Sequence, residues 1–272
     1  MRWLANSLLA ALLVLDFHAP MLAAEGKPTR LLLLAHGPDG HPKGTHEYVA
    51  GQTILDKCLR NVPKLERTIV RADGDWPEGT ELLAKADGVV LFVSEGAKWI
   101  GANPARRAAF ADLAKRGGGL TVLHWGMGTK PAEHIEPFVA LFGACHGGPD
   151  RKYKFLETQV RIATPDHPAM QGLADFTIKE EFYYQLKVLP EAKLVPLLTA
   201  DIDGEKPMVA WAWERPDGGR SLGYSGCHYH ENWSRPEYRQ FISQAILWTL
   251  KLTPPSEGFP ADVQADEFKL AP

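Results

Sequence analysis

The sequence predicts an α/β fold whose central sheet is mostly parallel and is extended by antiparallel strands in the second half of the chain. Three apolar runs in the first half each open into a loop rich in glycine and polar residues, and helical patterns alternate with them. This order is typical of a doubly wound sheet with right-handed crossovers. After residue 153, strand patterns follow one another through short turns, which is typical of antiparallel pairing.

Each helix and strand of the first half is predicted from a local sequence pattern. Thr29 to Ala35 is a continuous apolar run, as expected of a strand buried on both faces. Thr45 is predicted to cap an amphipathic helix that ends near Asn61. A second helix is predicted over residues 103–116, where asparagine and proline occupy the cap and first-turn positions. The other predicted strands of this half span residues 65–70, 87–93 and 120–123.

The second half is predicted to complete the same domain. Its predicted strands span residues 154–163, 194–198, 208–213 and 220–224, and its turns contain Asp203-Gly204 and residues 217–219. An amphipathic helix over residues 236–250 closes a single domain of residues 28–252. The polar C-terminal tail, residues 253–272, is predicted to leave this domain.

The first residues have the pattern of a secretory signal. A positive charge at Arg2, an apolar run from Leu8 to Leu15 and small residues before the cleavage point predict a signal peptide over residues 1–24. Asp16 and His18 interrupt the apolar run, so no membrane span is expected after cleavage. The protein is therefore predicted to be periplasmic or secreted, with a retained N-terminal anchor as the alternative.

Charge and cysteine content narrow the classes of partner. The formal net charge is −3 and no block of lysine and arginine occurs, which argues against nucleic acid or an anionic membrane as a partner. A small neutral or polar ligand fits better. Cys58, Cys145 and Cys227 are too few and too widely spaced for a disulfide framework or a paired zinc motif. Either two of them form one disulfide, or all three are small buried residues, which we favour.

Histidines are concentrated where predicted strands end. His36 follows the first strand, His124 follows the fourth, and His228 and His230 follow the last. Parallel strands finish at the same edge of a sheet, and ligands of open α/β sheets bind beyond that edge. We expect at least two of these histidines to meet in one cleft. The alternative is that each caps its own strand by hydrogen bonding to the backbone.

One hypothesis for such a cleft is a divalent metal site, for example for zinc. Imidazole nitrogens could combine with a carboxylate from Glu47, Glu95 or Glu231. The spacing of His41 and His46 is not diagnostic of such a site, however, so the cofactor stays open.

The other hypotheses concern catalysis by side chains. A nucleophile elbow needs serine or cysteine at its sharp turn, and His124 occupies that position, which argues against covalent catalysis. The pair Glu180-Glu181 precedes aromatic residues and favours acid–base chemistry on a sugar, whose CH face can stack on a ring. The alternative is a solvated pair beside core aromatics. The aromatic residues considered for a carbohydrate site are Trp125, Tyr183, Trp211 and Trp233, of which Trp211 could equally be core.

Seven short motifs together resemble one known family. They are Gly117 to His124, Leu141 to His146, His167-Pro168 with Gly172-Leu173, Glu180 to Tyr183, Pro207 to Trp211, Gly219-Arg220 and Gly226 to His228. In this order they resemble ThuA-like (trehalose-utilisation) proteins over about residues 31–250. The resemblance implies a flavodoxin-like three-layer sandwich related to class I glutamine amidotransferases but without their catalytic cysteine. It also implies a role in the use of trehalose and related disaccharides through 3-keto sugars.

Together these observations lead us to expect an exported enzyme that acts on a sugar or (3-keto) glycoside, and not an amidotransferase. His124 and Glu181 are the expected acid–base partners, and His228 is an orienting or electrophilic group. The expected ligand-binding residues are His36, His46, Glu47, Trp125, His146 and Tyr183. A noncatalytic carbohydrate-binding or scaffold protein and a metal-dependent hydrolase are the alternatives, and the sequence also allows a homo-oligomer.

Overall fold

The computed structural model describes residues 26–270, so the signal peptide predicted over residues 1–24 lies outside the described residues. The strands are β1 (Thr29–Ala35), β2 (Leu65–Arg71), β3 (Gly88–Phe92), β4 (Gly119–Leu123), β5 (Gly128–Thr129), β6 (Ala144–Gly147), β7 (Lys152–Ile162), β8 (Phe176–Tyr184), β9 (Lys187–Val188), β10 (Val195–Ala200), β11 (Met208–Glu214) and β12 (Arg220–Tyr224). The helices are α1 (Tyr48–Cys58), α2 (Gly79–Lys85), α3 (Gly96–Gly101), α4 (Pro104–Lys115), α5 (Ile135–Phe142) and α6 (Pro236–Thr249).

A nine-stranded sheet forms the centre of the fold, in the order β2-β1-β3-β4-β12-β11-β10-β7-β8. The first five strands of this order pair in parallel, and the pairs from β12 to β8 are all antiparallel. The predicted mixed sheet is thus confirmed. Since β12 runs parallel to β4, the loop after β12 leaves the sheet at the same edge as His124.

Helices cover both faces of this sheet, as the three-layer prediction requires. Leu31 and Leu33 of β1 pack into a core that includes α1 and α6, whereas Leu32 and Leu34 pack into a second core with α4 and α5. Alternate side chains of a strand point to opposite faces, so a continuous apolar run fits a strand covered on both sides. Burial of one leucine side chain stabilises the fold by about 1.5–3 kcal/mol.

Helix α1 begins two residues later than predicted, because its N-cap is Glu47 and not Thr45. The Thr45 hydroxyl donates to the Pro42 carbonyl at 2.6 Å, and Thr45 forms a β-bridge with Tyr229. After this bridge the backbone of His46 is left-handed, with φ of 53°, so the helix starts only at Tyr48. The same bridge ties the loop after β1 to the loop after β12.

The prediction that the tail leaves the domain is wrong for the part that the structure describes. Phe259 and Ala261 are buried in the core shared with α1 and α6. The Arg239 guanidinium donates to the Ala261 carbonyl at 3.1 Å, and His230 hydrogen bonds to the Phe268 carbonyl at 2.8 Å. A few apolar residues within a polar segment are therefore sufficient to return it to the core.

Two further properties concern the described chain as a whole. Cys58, Cys145 and Cys227 are free and buried in this part of the chain, in agreement with the reading as small buried residues. Among residues 26–270, no helix is long and apolar enough to cross a membrane.

Candidate functional site

Four buried side chains meet at the edge where the parallel strands end. Their imidazole nitrogens and carboxylate oxygen lie within 4.8 Å of one another. The members of this group, which we name the His/Glu cluster, are His46, His124, Glu181 and His228. The first lies in the loop after β1, the second directly after β4, the third in β8 and the fourth in the loop after β12. Both halves of the sheet therefore contribute to one site.

The contacts within the His/Glu cluster are short. Nε2 of His124 is 3.0 Å from Nε2 of His46 and 3.3 Å from Nδ1 of His228. Nε2 of His46 is 3.1 Å from Nδ1 of His228. Oε2 of Glu181 is 2.8 Å from Nδ1 of His228 and 3.3 Å from Nε2 of His124. All four groups thus direct one polar atom at a common centre.

The orientation of the His124 ring follows from the loop after β4. The backbone of His124 is left-handed, with φ of 48°, and its side chain is fully buried. Nδ1 lies 2.8 Å from the carbonyl oxygen of Ser225. A carbonyl oxygen only accepts hydrogen bonds, so Nδ1 carries a hydrogen, and in the neutral ring Nε2 presents a lone pair to the cluster.

His46 is oriented by a carboxylate. Its Nδ1 lies 3.0 Å from Oδ2 of Asp39, which also accepts from the Tyr48 hydroxyl at 2.6 Å. Burial opposes ionisation of Asp39, but hydrogen bonds from His46, Tyr48 and His41 outweigh it and hold the pKa of Asp39 well below its usual value. Burial also lowers the pKa of His46 to about 4, against the effect of Asp39. Near neutral pH, His46 therefore donates from Nδ1 and presents an Nε2 lone pair.

Glu180 and Glu181 point to opposite sides of β8. Burial would raise the pKa of Glu181, but its contacts with His124 and His228 hold that pKa well below the usual value, so Glu181 is a carboxylate. Glu180 accepts from the backbone N–H groups of Cys227 and His228 at 3.0 and 3.1 Å. Glu180 therefore holds the backbone of the loop that carries His228.

A cleft of about 220 Å³ opens above the His/Glu cluster. His46, Glu181 and His228 line its floor, whereas His124, which is 0 % exposed, lies beneath them. Its walls are aromatic and its rim is positively charged. The wall and rim residues are His41, Trp125, Lys130, His146, Arg151, Tyr153, Phe155 and Tyr183. This size and lining suit a small, polar, ring-shaped ligand.

One wall of the cleft is a stack of rings. Tyr183 lies between His124 and His146, with ring centroids 4.5 and 3.8 Å away. Burial lowers the pKa of His146 to about 3, and its Nδ1 has no hydrogen-bond partner among the described residues. Tyr153 and Phe155 also line the cleft and are each 51 % exposed. These two exposed rings provide apolar faces next to the polar floor.

Seven of the nine site residues expected from the sequence lie in the His/Glu cluster or line the cleft, and two do not. His36 accepts from the Ser94 N–H at 3.2 Å and packs on Trp99, in a neighbouring depression. Glu47 accepts from the Gly44 N–H at 2.8 Å in the same depression, where it stabilises the loop. Neither side chain reaches the floor of the cleft.

Two tryptophans considered for the site belong to the core. Trp211 and Trp233 are at most 1 % exposed, and the Trp211 indole donates to the Phe142 carbonyl at 2.8 Å. Conversely, the sequence analysis did not select Asp39 and His41, although both lie in the loop after β1. The sequence could have indicated these two residues, because their loop follows the end of a predicted strand, where ligands of α/β sheets bind.

These features define a three-layer α/β protein with a cleft of histidine and carboxylate side chains at the carboxyl ends of its parallel strands. Residues 43–249 match the family model described as ThuA, trehalose utilisation, and the chain belongs to this family. Membership implies a role in carbohydrate metabolism. No curated protein sequence matches the chain significantly.

Several solved structures share the fold. A putative ThuA-like protein from Bacteroides uniformis is 16 % identical, with a TM-score of 0.66 over 89 % of this chain and 98 % of that one. One from Parabacteroides merdae is 14 % identical, with a TM-score of 0.61 over 90 % and 100 % of the two chains. A cytoplasmic protein from Salmonella typhimurium is 15 % identical, with a TM-score of 0.54 over 82 % and 98 %. At these identities the likeness concerns the fold alone.

Proposed function

We propose that this protein is an enzyme that acts on an oxidised (3-keto) sugar or glycoside by moving a proton at the carbon next to the carbonyl group. The observation that carries this proposal is that an exposed histidine, His41, lines the cleft directly beside the His/Glu cluster and is paired with the largely buried Asp39. Such chemistry needs a base for the carbon-bound proton and a group that stabilises the resulting oxyanion. The cleft brings candidates for both together.

His41 is the better candidate for the base. Its Nδ1 is 2.7 Å from Oδ1 of Asp39, so the carboxylate fixes the hydrogen on Nδ1 and leaves Nε2 able to accept a proton. Its side chain is 42 % exposed, and its ring stacks on His46 at 3.7 Å. His124, the base expected from the sequence, lies beneath the floor and is better placed to orient the cluster than to meet a substrate.

The reaction would conserve all atoms without a redox partner. His41 takes the proton from the carbon beside the carbonyl, the C–H electron pair forms a C=C bond, and the carbonyl π pair moves to oxygen. The cations of Lys130 and Arg151 at the rim of the cleft would stabilise that oxyanion. The sugar isomerises if the proton returns to the former carbonyl carbon while the hydroxyl proton of the neighbouring carbon passes to the oxyanion, so that a carbonyl group forms at that neighbouring carbon. The sugar is cleaved instead if the original carbonyl re-forms, the C=C bond shifts to the anomeric carbon, and the glycosidic oxygen leaves with the proton that His41 took.

The walls support a sugar as the substrate. Tyr153, Phe155 and Trp125 offer ring faces and edges to the apolar CH face of a pyranose. The signal peptide predicted over residues 1–24 supports a location in the periplasm or outside the cell, where such sugars arise from imported or degraded glycosides.

The proposal is tested by proton exchange. Purified protein is incubated with 3-keto-trehalose and 3-keto-glucosides in D₂O, and the products are followed by NMR. We expect deuterium at the carbon beside the carbonyl, followed by isomerisation or cleavage, and we expect His41→Gln to lose most of this exchange. His134→Gln, which changes a histidine that does not line the cleft, is the matched control.

Two results would contradict the proposal. Binding of these sugars without exchange by the wild-type protein would favour a noncatalytic carbohydrate-binding protein. Exchange that His41→Gln leaves intact would remove His41 from the mechanism.

A further inference from the structure

We propose that the His/Glu cluster binds one divalent transition-metal ion, of the zinc type, through His46, His124, His228 and Glu181. This inference concerns metal binding by the protein alone, so it goes beyond the proton-transfer proposal and does not depend on it.

The spacing of the four groups fits one ion. In a tetrahedral zinc site, metal–ligand distances of about 2.0–2.1 Å place neighbouring ligand atoms about 3.3–3.4 Å apart. Five of the six ligand–ligand distances are 3.0, 3.1, 3.3, 2.8 and 3.3 Å. The sixth, between His46 and Glu181, is below 4.8 Å. Side-chain shifts of a few tenths of an ångström would bring all four atoms to a common ion.

In the neutral rings of His46 and His124, the hydrogens leave two lone pairs directed at each other across the cluster. The Tyr183 hydroxyl, 3.0 Å from Nε2 of His124, can donate to that atom, and Nδ1 of His228 can donate to Glu181. The Nε2 atoms of His46 and His124 still face each other at 3.0 Å, and among the described residues the hydrogens of both rings are held on Nδ1. Two buried lone pairs at this distance repel each other. A metal ion coordinated by both converts the repulsion into two bonds.

Outer contacts hold each histidine in the orientation that a metal needs. Asp39 accepts from His46 and the Ser225 carbonyl accepts from His124, each at the nitrogen that faces away from the cluster. Glu180 binds the backbone N–H of His228 at 3.1 Å. Carboxylate–histidine and carbonyl–histidine contacts of this kind are typical of metal sites, where they fix the tautomer and orient the ring.

The donor set selects the class of ion. Three imidazole nitrogens with one carboxylate oxygen suit Zn²⁺ and its neighbours in the first transition row, whereas Mg²⁺ and Ca²⁺ prefer oxygen ligands. Three of the four ligands also line the cleft floor. A bound ion would therefore face the cleft and could accept a substrate oxygen as an additional ligand.

The test needs only metal and protein. Purified full-length protein is stripped with a chelator, dialysed, and titrated with ZnCl₂ by calorimetry, with MgCl₂ as the comparison ion; zinc content is then measured after gel filtration. We expect one zinc per chain and no comparable binding of magnesium. The variants His124→Ala and Glu181→Ala should each bind zinc at least about 100-fold more weakly.

The controls keep the outcome interpretable. His41→Gln removes a histidine that lies beside the cluster without belonging to it, and it should still bind one zinc. Circular dichroism tests whether each variant is folded. If His124→Ala does not fold, His124→Asn is used in its place.

Absence of stoichiometric binding by folded wild-type protein, or binding that survives His124→Ala combined with Glu181→Ala, would overturn the inference. Zinc binding without turnover of keto sugars would contradict only the proposed function, and turnover by folded protein that binds no zinc would contradict only the metal site.

Discussion

Glu180 and Glu181 are adjacent buried carboxylates whose side chains enter regions of opposite chemistry. Glu180 enters a pocket of hydrogen-bond donors, in which Asn232 Nδ2 and the Tyr238 hydroxyl, each at 3.1 Å, join two backbone N–H groups. We name this region the donor pocket. Glu181 instead joins the His/Glu cluster, where its partners are the imidazole rings of His124 and His228. The comparison teaches that the hydrogens around a buried carboxylate, more than its burial, determine whether its role is structural or ligand-binding.

The two regions are physically linked, although their roles differ. The donor pocket fastens the loop after β12 to β8, and that loop carries His228 into the cluster. The cluster can then hold converging lone pairs because the surrounding strands and the donor pocket prevent the side chains from moving apart. The four predictions below separate these roles.

The largest expected effect is on folding stability in the donor pocket. Glu180→Ala leaves several buried donors without an acceptor, each costing about 1–3 kcal/mol, so we expect a loss of roughly 3–5 kcal/mol in the free energy of unfolding. Glu181→Ala should cost clearly less in metal-free protein. Urea unfolding of both variants measures the difference, and equal losses would contradict the distinction between the two carboxylates.

The next effect concerns stabilisation by metal. Zinc at about 100 times its Kd should stabilise the wild-type protein by about 2.7 kcal/mol, because it binds only the folded state. Glu181→Gln should lose most of this gain. Glu180→Gln, if folded, should retain it. Thermal unfolding with and without zinc provides the measurement, and a gain shared by all three proteins would indicate binding elsewhere.

A smaller effect is expected at Asp39, which orients His46 without belonging to the cluster. Asp39→Asn should weaken zinc binding about 10- to 100-fold while the fold is kept, because an amide orients the His46 ring less firmly than a carboxylate does. His41→Gln, which changes the other partner of Asp39, is the control and should bind zinc as the wild-type protein does. Unchanged affinity in Asp39→Asn would show that this contact does not support the site.

The smallest effect is expected at Tyr183. In metal-free protein, its hydroxyl can donate to Nε2 of His124 at 3.0 Å, so Tyr183→Phe should lower the free energy of unfolding by about 0.5–1.5 kcal/mol. With zinc bound, the ion occupies that lone pair and the difference should shrink. A loss that is the same with and without zinc would place the His124 lone pair outside the metal site.

Much of the site's location could be predicted from the sequence, but not its composition. Apolar runs that end in polar loops identified the parallel strands, and these placed His36 and His124 at one edge of the sheet. The parallel pairing of β12 with β4, which brings His228 to the same edge, is a long-range contact that the sequence did not indicate. Which of Glu180 and Glu181 faces the cleft depends on the register of β7 with β8, since a shift of one residue exchanges the two faces. That register is a long-range property, and neither sequence segment reveals it alone.

Loop conformation explains the remaining differences between the site residues expected from the sequence and those that the structure brings together. His36 and His46 belong to the same loop region, yet only His46 reaches the cluster, because the Thr45–Tyr229 bridge and a left-handed backbone at His46 turn its side chain inward. The pairing of Asp39 with His41 arises from the same local geometry. Such turns depend on contacts with the loop after β12, so composition and periodicity did not indicate them.

The central claim is that four converging side chains hold a single divalent ion, and X-ray absorption at the zinc edge of the loaded protein tests it most directly. The account predicts four light-atom ligands at about 2.0–2.1 Å with imidazole scattering, and loss of part of that scattering in His124→Ala. A shell of six oxygen ligands without imidazole scattering, or a spectrum that His124→Ala leaves unchanged, would contradict it.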